Sequence, residues 1–191
     1  MSNGLKTALV AVGAVILAGV IIASTLISGY NRVVRMDERV KNKWAQVENQ
    51  LKRRYDLIPN LVATVKGYAA HEKGLFEDIA AARVKYFQAS TTKDKIDAAN
   101  QMEGPISRLL LLQERYPELK ANENFLKLQD SLEGTENRIA VARKRYNDAV
   151  MALNSYIRTF MGRFYAGLAG VGEAQYYQIP AGQSSAPKVK F

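Results

Sequence analysis

Beyond residue 32 the apolar positions repeat at helical spacing. Val33, Val40, Trp44, Val47, Leu51 and Ile58 step by three, four or seven. Leu61, Val65, Tyr68, Glu72, Leu75, Ile79, Ala82 and Tyr86 then alternate steps of four and three without a miss. The rhythm returns in Phe125, Gln129, Leu132, Glu136, Ile139, Arg143, Tyr146, Val150, Leu153, Ile157 and Phe160, and a weaker stripe runs through Ile96, Ala99, Glu103, Ile106, Leu110 and Gln113. Such seams belong to helices packed nearly parallel or antiparallel, and no segment alternates like a strand. The pattern predicts an all-α body of four helices, at about 32–56, 60–88, 94–114 and 121–161. Short connections between them favour an antiparallel up-and-down four-helix bundle.

The punctuation agrees. "STTKD" (90–94) offers capping residues before the third helix, and "RYPELKAN" (115–122) turns the chain into the fourth. Pro105 falls early in the third stripe and is expected to shorten or kink it. Within "RRYDLIPNLV" (53–62), Pro59 lacks an N–H and crowds the preceding turn, so a reversal or a kink is expected there. Reversal is the favoured reading: Arg53 and Arg54 suit a helix C-terminus, and Asp56 suits the next N-terminus.

The opposite pattern precedes the body. Residues 7–29, "TALVAVGAVILAGVIIASTLISG", carry no charge and show no polar face. As a helix this stretch would reach ~34 Å, enough to cross a ~30 Å hydrocarbon core, and it is longer than the apolar region of a cleavable signal. It reads as a retained single-pass anchor. Gly13, Ala14, Ala18 and Gly19 offer small side chains for anchor-to-anchor packing. Lys6 stands alone before it, whereas Arg32, Arg35, Arg39, Lys41 and Lys43 follow, which places the body in the cytoplasm; an envelope-side body is the alternative. The chain thus divides into a short N-terminus and anchor (1–29), a helical body (30–165) and a Gly/aromatic extension with a tail (166–191). The extension's Phe164, Tyr165, Tyr176 and Tyr177 could pack on the bundle, meet a membrane surface or form a subunit contact, and packing is the default. "IPAGQSSAPKVKF" reads as disordered.

Composition narrows the chemistry. The net charge is +9, with 27 basic and 18 acidic residues, but the basic residues are interspersed with acidic ones. With no cysteine there is no disulfide, thiolate metal site or thiol nucleophile, and the single histidine, His71, cannot build a histidine metal site. His71-Glu72 lacks the second histidine of a zinc-protease helix, and Tyr68 stands where a di-iron Glu-x-x-His pair would need its glutamate. No catalytic residue, cofactor or metal site is expected.

Glu72, Gln129, Glu136 and Arg143 occupy seam positions where the rhythm calls for Leu or Val. Buried charge is costly unless paired, so partners across the bundle are expected, Glu72 with Arg143 among the candidates.

These same stretches carry a resemblance. "YNRVV" (30–34), Trp44, "RRYDLIPNLVATVKGYAAHE" (53–72), "ERYPELKAN" (114–122) and "TENRIAVARKRYNDAV" (135–150) together resemble the LemA family of bacterial membrane proteins over roughly residues 30–165. The resemblance implies one N-terminal membrane helix, a four-helix bundle in a bacterial cell membrane, and no enzyme activity. Phe160-Met161 departs from the Phe-Pro that the family often has near the end of the last helix. A structural polar network of Arg54, Asp56, Asn60, Glu72, Glu136, Asn137, Arg138 and Arg143 fits the motifs.

The leading expectation is a membrane-anchored helical scaffold that self-associates, with membrane lipid, further copies of itself and an unidentified membrane or envelope protein as partners. Nucleic acid is disfavoured. The alternative is a binder of anionic lipid or nucleic acid through Lys52, Arg53, Arg54, Arg143, Lys144 and Arg145. An enzyme using Glu72 and Glu136 as acid and base stands last.

Overall fold

The computed structural model describes residues 3–179, and the tail from Pro180 onward lies outside the described residues. Among the described residues all regular structure is helical. The elements are α1 (Asn3–Lys66), α2 (Lys73–Gln88), α3 (Thr92–Arg115), the one-turn α4 (Pro117–Lys120), α5 (Glu123–Ile157) and α6 (Phe160–Ala169). The uncharged stretch forms the first part of α1, where side chains from Ala11 to Ser28 are exposed. It is long and apolar enough to cross a membrane, with a mean hydropathy of 2.3.

The chain forms two compact units. Of the described residues, one comprises 3–42 with Asp148–Ala174, and the other Lys43–Asn147 with 175–179.

In the Lys43–Asn147 unit, most apolar seam positions predicted from periodicity lie in the core. Trp44, Val47, Leu51, Ile58, Leu61 and Val65 of α1 are buried, as are Leu75, Ile79 and Tyr86 of α2, Ile96, Ala99 and Ile106 of α3, and Phe125, Leu132, Ile139 and Tyr146 of α5. On α3 the buried row runs on through Met102, Leu109 and Leu112, one position off the expected Leu110 and Gln113, which are half-buried. Caps delimit the helices as the sequence indicates. Thr91 accepts from the Asp94 N–H at 3.1 Å, and Asn122 accepts from the Phe125 N–H at 2.9 Å. Pro117 opens α4 at a position where a missing N–H is harmless.

Pro59 does not reverse the chain. It sits, exposed, inside an α1 that runs on to Lys66. Its missing N–H would have met the carbonyl of Tyr55, one helical turn back. That carbonyl instead accepts from Arg83 Nε of α2 at 3.4 Å. The reversal falls at residues 67–72, between α1 and α2, so the predicted 60–88 helix is in fact two. Asp56 caps nothing; it is an exposed residue of the α1 interior. Nor does Pro105 shorten its helix, since α3 carries it within 24 residues.

In the other unit, Val33 and Val40 of α1 and Val150, Leu153 and Ile157 of α5 are buried. The predicted last helix is interrupted at Arg158–Thr159. Thr159 Oγ1 accepts from the Gly162 N–H at 3.0 Å and starts α6. Gly162 is obligatory there, because a Cβ would overlap the Tyr156 carbonyl. Gly170 ends α6 with φ 66°, a left-handed cap that glycine adopts without penalty.

Candidate functional site

The charged centre of the Lys43–Asn147 unit is Arg54. The seam phase of α1 turns this side chain inward beside Leu51, Tyr55 and Ile58, leaving it only 7% exposed. Its guanidinium reaches two other helices. Nη1 and Nη2 grip both carboxylate oxygens of Glu103 on α3 at 2.7 and 3.0 Å. Nη1 also meets Glu136 of α5 at 2.5 Å. One planar fork therefore ties α1 to α3 and α5, a geometry that lysine could not supply.

The two carboxylates together outweigh the guanidinium in charge. Both also line a hollow of about 260 Å³ shared with Asn100, Ser107, Arg143 and Tyr177. Desolvation pushes the Glu103 carboxyl above the usual carboxylate value, with Glu136 pushing the same way, and the Arg54 guanidinium only partly offsets this. Burial likewise pushes the Tyr177 phenol up to about 12.

Tyr177 belongs to an extended segment lying on α5. Asn147 addresses its backbone in both directions, accepting from the Tyr177 N–H at 2.9 Å and donating to its carbonyl at 3.0 Å. The Tyr146 hydroxyl donates to the Gln175 carbonyl at 2.6 Å, and Asn100 of α3 donates to that of Gln178 at 2.9 Å. The Tyr177 ring lies 6.4 Å from that of Trp44, which in turn is 5.3 Å from Tyr146. In the other unit Asn154 treats Ala174 as Asn147 treats Tyr177, with both bonds at 2.9 Å.

The residues expected to form one polar network divide. Arg54 and Glu136 meet. Glu72, at the start of α2, pairs with Arg115 at 2.8 Å rather than with Arg143. Arg143 stands over the Tyr177 ring at 5.5 Å and lines the hollow. Asp56, Asn60, Asn137 and Arg138 are exposed. Of these, Asn137 and Arg138 line a separate hollow of about 430 Å³ with Gln46, Asn49, Gln50 and Arg145. Arg138 also borders a further hollow with Arg53, Asp130 and Ser131.

Sequence reasoning omitted Glu103 and the two asparagines from the site. Glu103 was visible as a charged residue on a seam, as Glu136 was. Asn147 and Asn154, seven residues apart on α5, gave no signal, because their partners are backbone groups of an extended segment without periodicity.

Arg54 and its two glutamates form a charge-assisted cross-link, and Glu72 lies in a different pairing, so no acid–base pair of Glu72 with Glu136 is assembled. A grouping of three or more metal-ligating side chains does not occur among the described residues.

The model of the LemA family matches residues 43–191. Magnetosome protein MamQ 2 of Paramagnetospirillum magneticum is 26% identical over 196 residues, covering 88% of this chain and 72% of that protein. Magnetosome protein MamQ of Magnetospirillum gryphiswaldense is 24% identical with the same coverage. Protein LemA of Metamycoplasma hominis is 24% identical over 131 residues, covering 68% of this chain and 60% of that protein.

Proposed function

Since the chain belongs to the LemA family, we propose that it is a single-pass protein of the bacterial inner membrane whose cytoplasmic body is a self-associating, non-catalytic scaffold. The body is an antiparallel four-helix bundle of α1 beyond Asn42, α2, α3 and α5. Connections as short as residues 67–72 and 89–91 support the antiparallel order.

The observation that carries the reading is the use made of interior charge. Arg54 is committed to carboxylates on two other helices, which fixes helix register and favours a rigid body over a reactive cleft. The anchor supports self-association: Gly13 and Gly19 have open space where a Cβ would stand, so another anchor can approach closely. The test is co-expression of full chains bearing two different tags. Retention of the second tag on purification through the first, in mild detergent, is expected. Clean separation of the two would refute self-association.

Orientation rests on the cationic residues that follow the span. A Ser90→Cys variant, placed in the exposed link between α2 and α3, should resist a membrane-impermeant thiol reagent until cells are lysed. Labelling of intact spheroplasts would put the body on the envelope side.

A second reading, binding of an anionic ligand, is favoured by Arg53, Arg138 and Arg145, which are exposed and border the hollows between α1 and α5. Arg54 and Arg143 drop out of the basic faces expected from sequence, since one is buried in its ion pairs and the other stands over Tyr177. Binding of this kind weakens steeply with salt; salt-insensitive or absent binding to anionic vesicles and oligonucleotides would dispose of it.

A further inference from the structure

α6 has two apolar faces and almost no polar one. Its ten residues, FMGRFYAGLA, contain a single charge, Arg163. Gly162, Tyr165 and Ala166 are buried on one side. They pack within the unit that holds the N-terminal part of α1: the Tyr165 ring lies where a Cβ of Gly29 would be, and its hydroxyl donates to the Thr25 carbonyl at 3.4 Å. Thr25 and Gly29 form the last turn of the uncharged stretch, so α6 lies beside the C-terminal end of the apolar span.

At about 100° per residue, Phe160, Phe164, Leu168 and Met161 fall in a sector roughly 100° wide, next to the sector that packs on α1. Among the described residues nothing covers it: Phe160 is 90% exposed, Leu168 61%, Phe164 55% and Met161 48%. Four large apolar side chains gathered on one helical face form a surface that needs a non-aqueous neighbour. The level of the helix identifies that neighbour. Tyr165, in the middle of α6, stands level with Thr25 and Gly29, and a helix of ten residues is only ~15 Å long, so this face lies near the end of the span, where acyl chains give way to head groups. Arg32, whose guanidinium covers the Tyr156 ring at 4.4 Å, places at the start of the body a cation and a tyrosine, both residue types that gather at membrane boundaries.

We propose that α6 is an interfacial helix, a second membrane-contact element beside the span. Phe160, Met161, Phe164 and Leu168 enter the boundary between acyl chains and head groups, and Arg163 reaches toward lipid phosphates. The inference rests on residues 7–29 spanning a bilayer. With α6 held by lipid on one side and by Tyr165 on the other, the end of α5 is tied to the membrane surface.

The natural chain has no cysteine, so single-cysteine variants of the full protein carry one fluorophore each. Phe160→Cys, Phe164→Cys, Arg163→Cys and Leu17→Cys would be reconstituted in phosphatidylcholine–phosphatidylglycerol vesicles. Each is then quenched with lipids brominated near the glycerol end of the acyl chain (near its methyl end for the mid-span Leu17 label), and separately with aqueous iodide. Labels at 160 and 164 should be quenched by brominated lipid at least about threefold more than the label at 163, with the reverse order for iodide. Iodide quenching at 160 and 164 equal to that at 163, with the Leu17 label still lipid-quenched, would leave the face in water and overturn the proposal. Protection of 160 and 164 from both quenchers would mean that protein covers the face, and would equally overturn it. A Leu17 label untouched by lipid would remove the span itself, and this inference with it.

Discussion

Arg83 of α2 donates from Nε to the backbone carbonyl of Tyr55 in α1, the carbonyl that Pro59 leaves without a helical donor. The proline that looks like a helix terminator is thereby absorbed, and the orphaned acceptor becomes a contact between two helices. A buried carbonyl without a partner costs about 1–3 kcal/mol, so this exchange offsets part of what Pro59 imposes. Pro59→Ala should restore the intrahelical bond and raise stability by about 1 kcal/mol, read as a higher melting temperature in detergent. Arg83→Gln should then cost less in the Pro59→Ala background than in the natural one. A lower melting temperature for Pro59→Ala would contradict the account.

Arg54 should be among the least replaceable residues of the body. Arg54→Met leaves the Glu103 and Glu136 carboxylates facing one another without their shared cation, at an expected cost of about 2–4 kcal/mol; their partial exposure keeps the figure below that of a fully buried pair. Adding Glu103→Gln and Glu136→Gln to Arg54→Met should recover much of the loss. If the triple variant is no better than Arg54→Met alone, like-charge repulsion is not the cause.

Glu103 gives the body a pH dependence of definite sign. Its pKa is raised above 4.5 on folding, chiefly by desolvation, so folding takes up a proton between that value and the raised one. The associated stabilisation is complete below about 4.5 and is lost as pH rises through the folded-state value. The stability of the natural chain minus that of Glu103→Gln should therefore fall across this window. Thermal melts from about pH 4 to about pH 7 follow the difference, and growth of the difference with pH would reverse the assignment.

Asn147 holds the C-terminal strap by two bonds to Tyr177, and Trp44, the one tryptophan, lies against that tyrosine. Asn147→Ala should free the strap and let water reach the indole. A red-shifted emission with stronger iodide quenching is expected, together with a loss of about 1–2 kcal/mol from two unpaired backbone groups. An unchanged Trp44 spectrum would mean that the strap does not depend on Asn147.

Where a seam stays within one helix, the sequence was a sound guide: Val33, Val40, Trp44, Val47, Leu51 and Ile58 are all buried. It misled where the rhythm crosses a turn. Leu61 to Tyr86 keep perfect phase, yet α1 ends at Lys66 and Tyr68, counted as a seam residue, is 41% exposed. Heptad phase reports side-chain sequence and is blind to a reversal that happens to preserve it. Pro59 reads as a terminator because its missing N–H shows in the sequence while the Arg83 side chain that answers it does not. Phe160 continued the α5 seam in sequence but lies beyond the Thr159 break, fully turned out. Glu103 and Glu136 both stand on seams in the sequence, but that one arginine, Arg54, joins them shows only in the fold.

As proposed, the membrane-anchored body assembles with copies of itself. The most direct test is the mass of the full chain in lipid nanodiscs or mild detergent, measured by sedimentation over a wide dilution series. A discrete mass above that of one 21.2 kDa chain, stable over much of the series, is predicted. A single monomeric species at every concentration would contradict it.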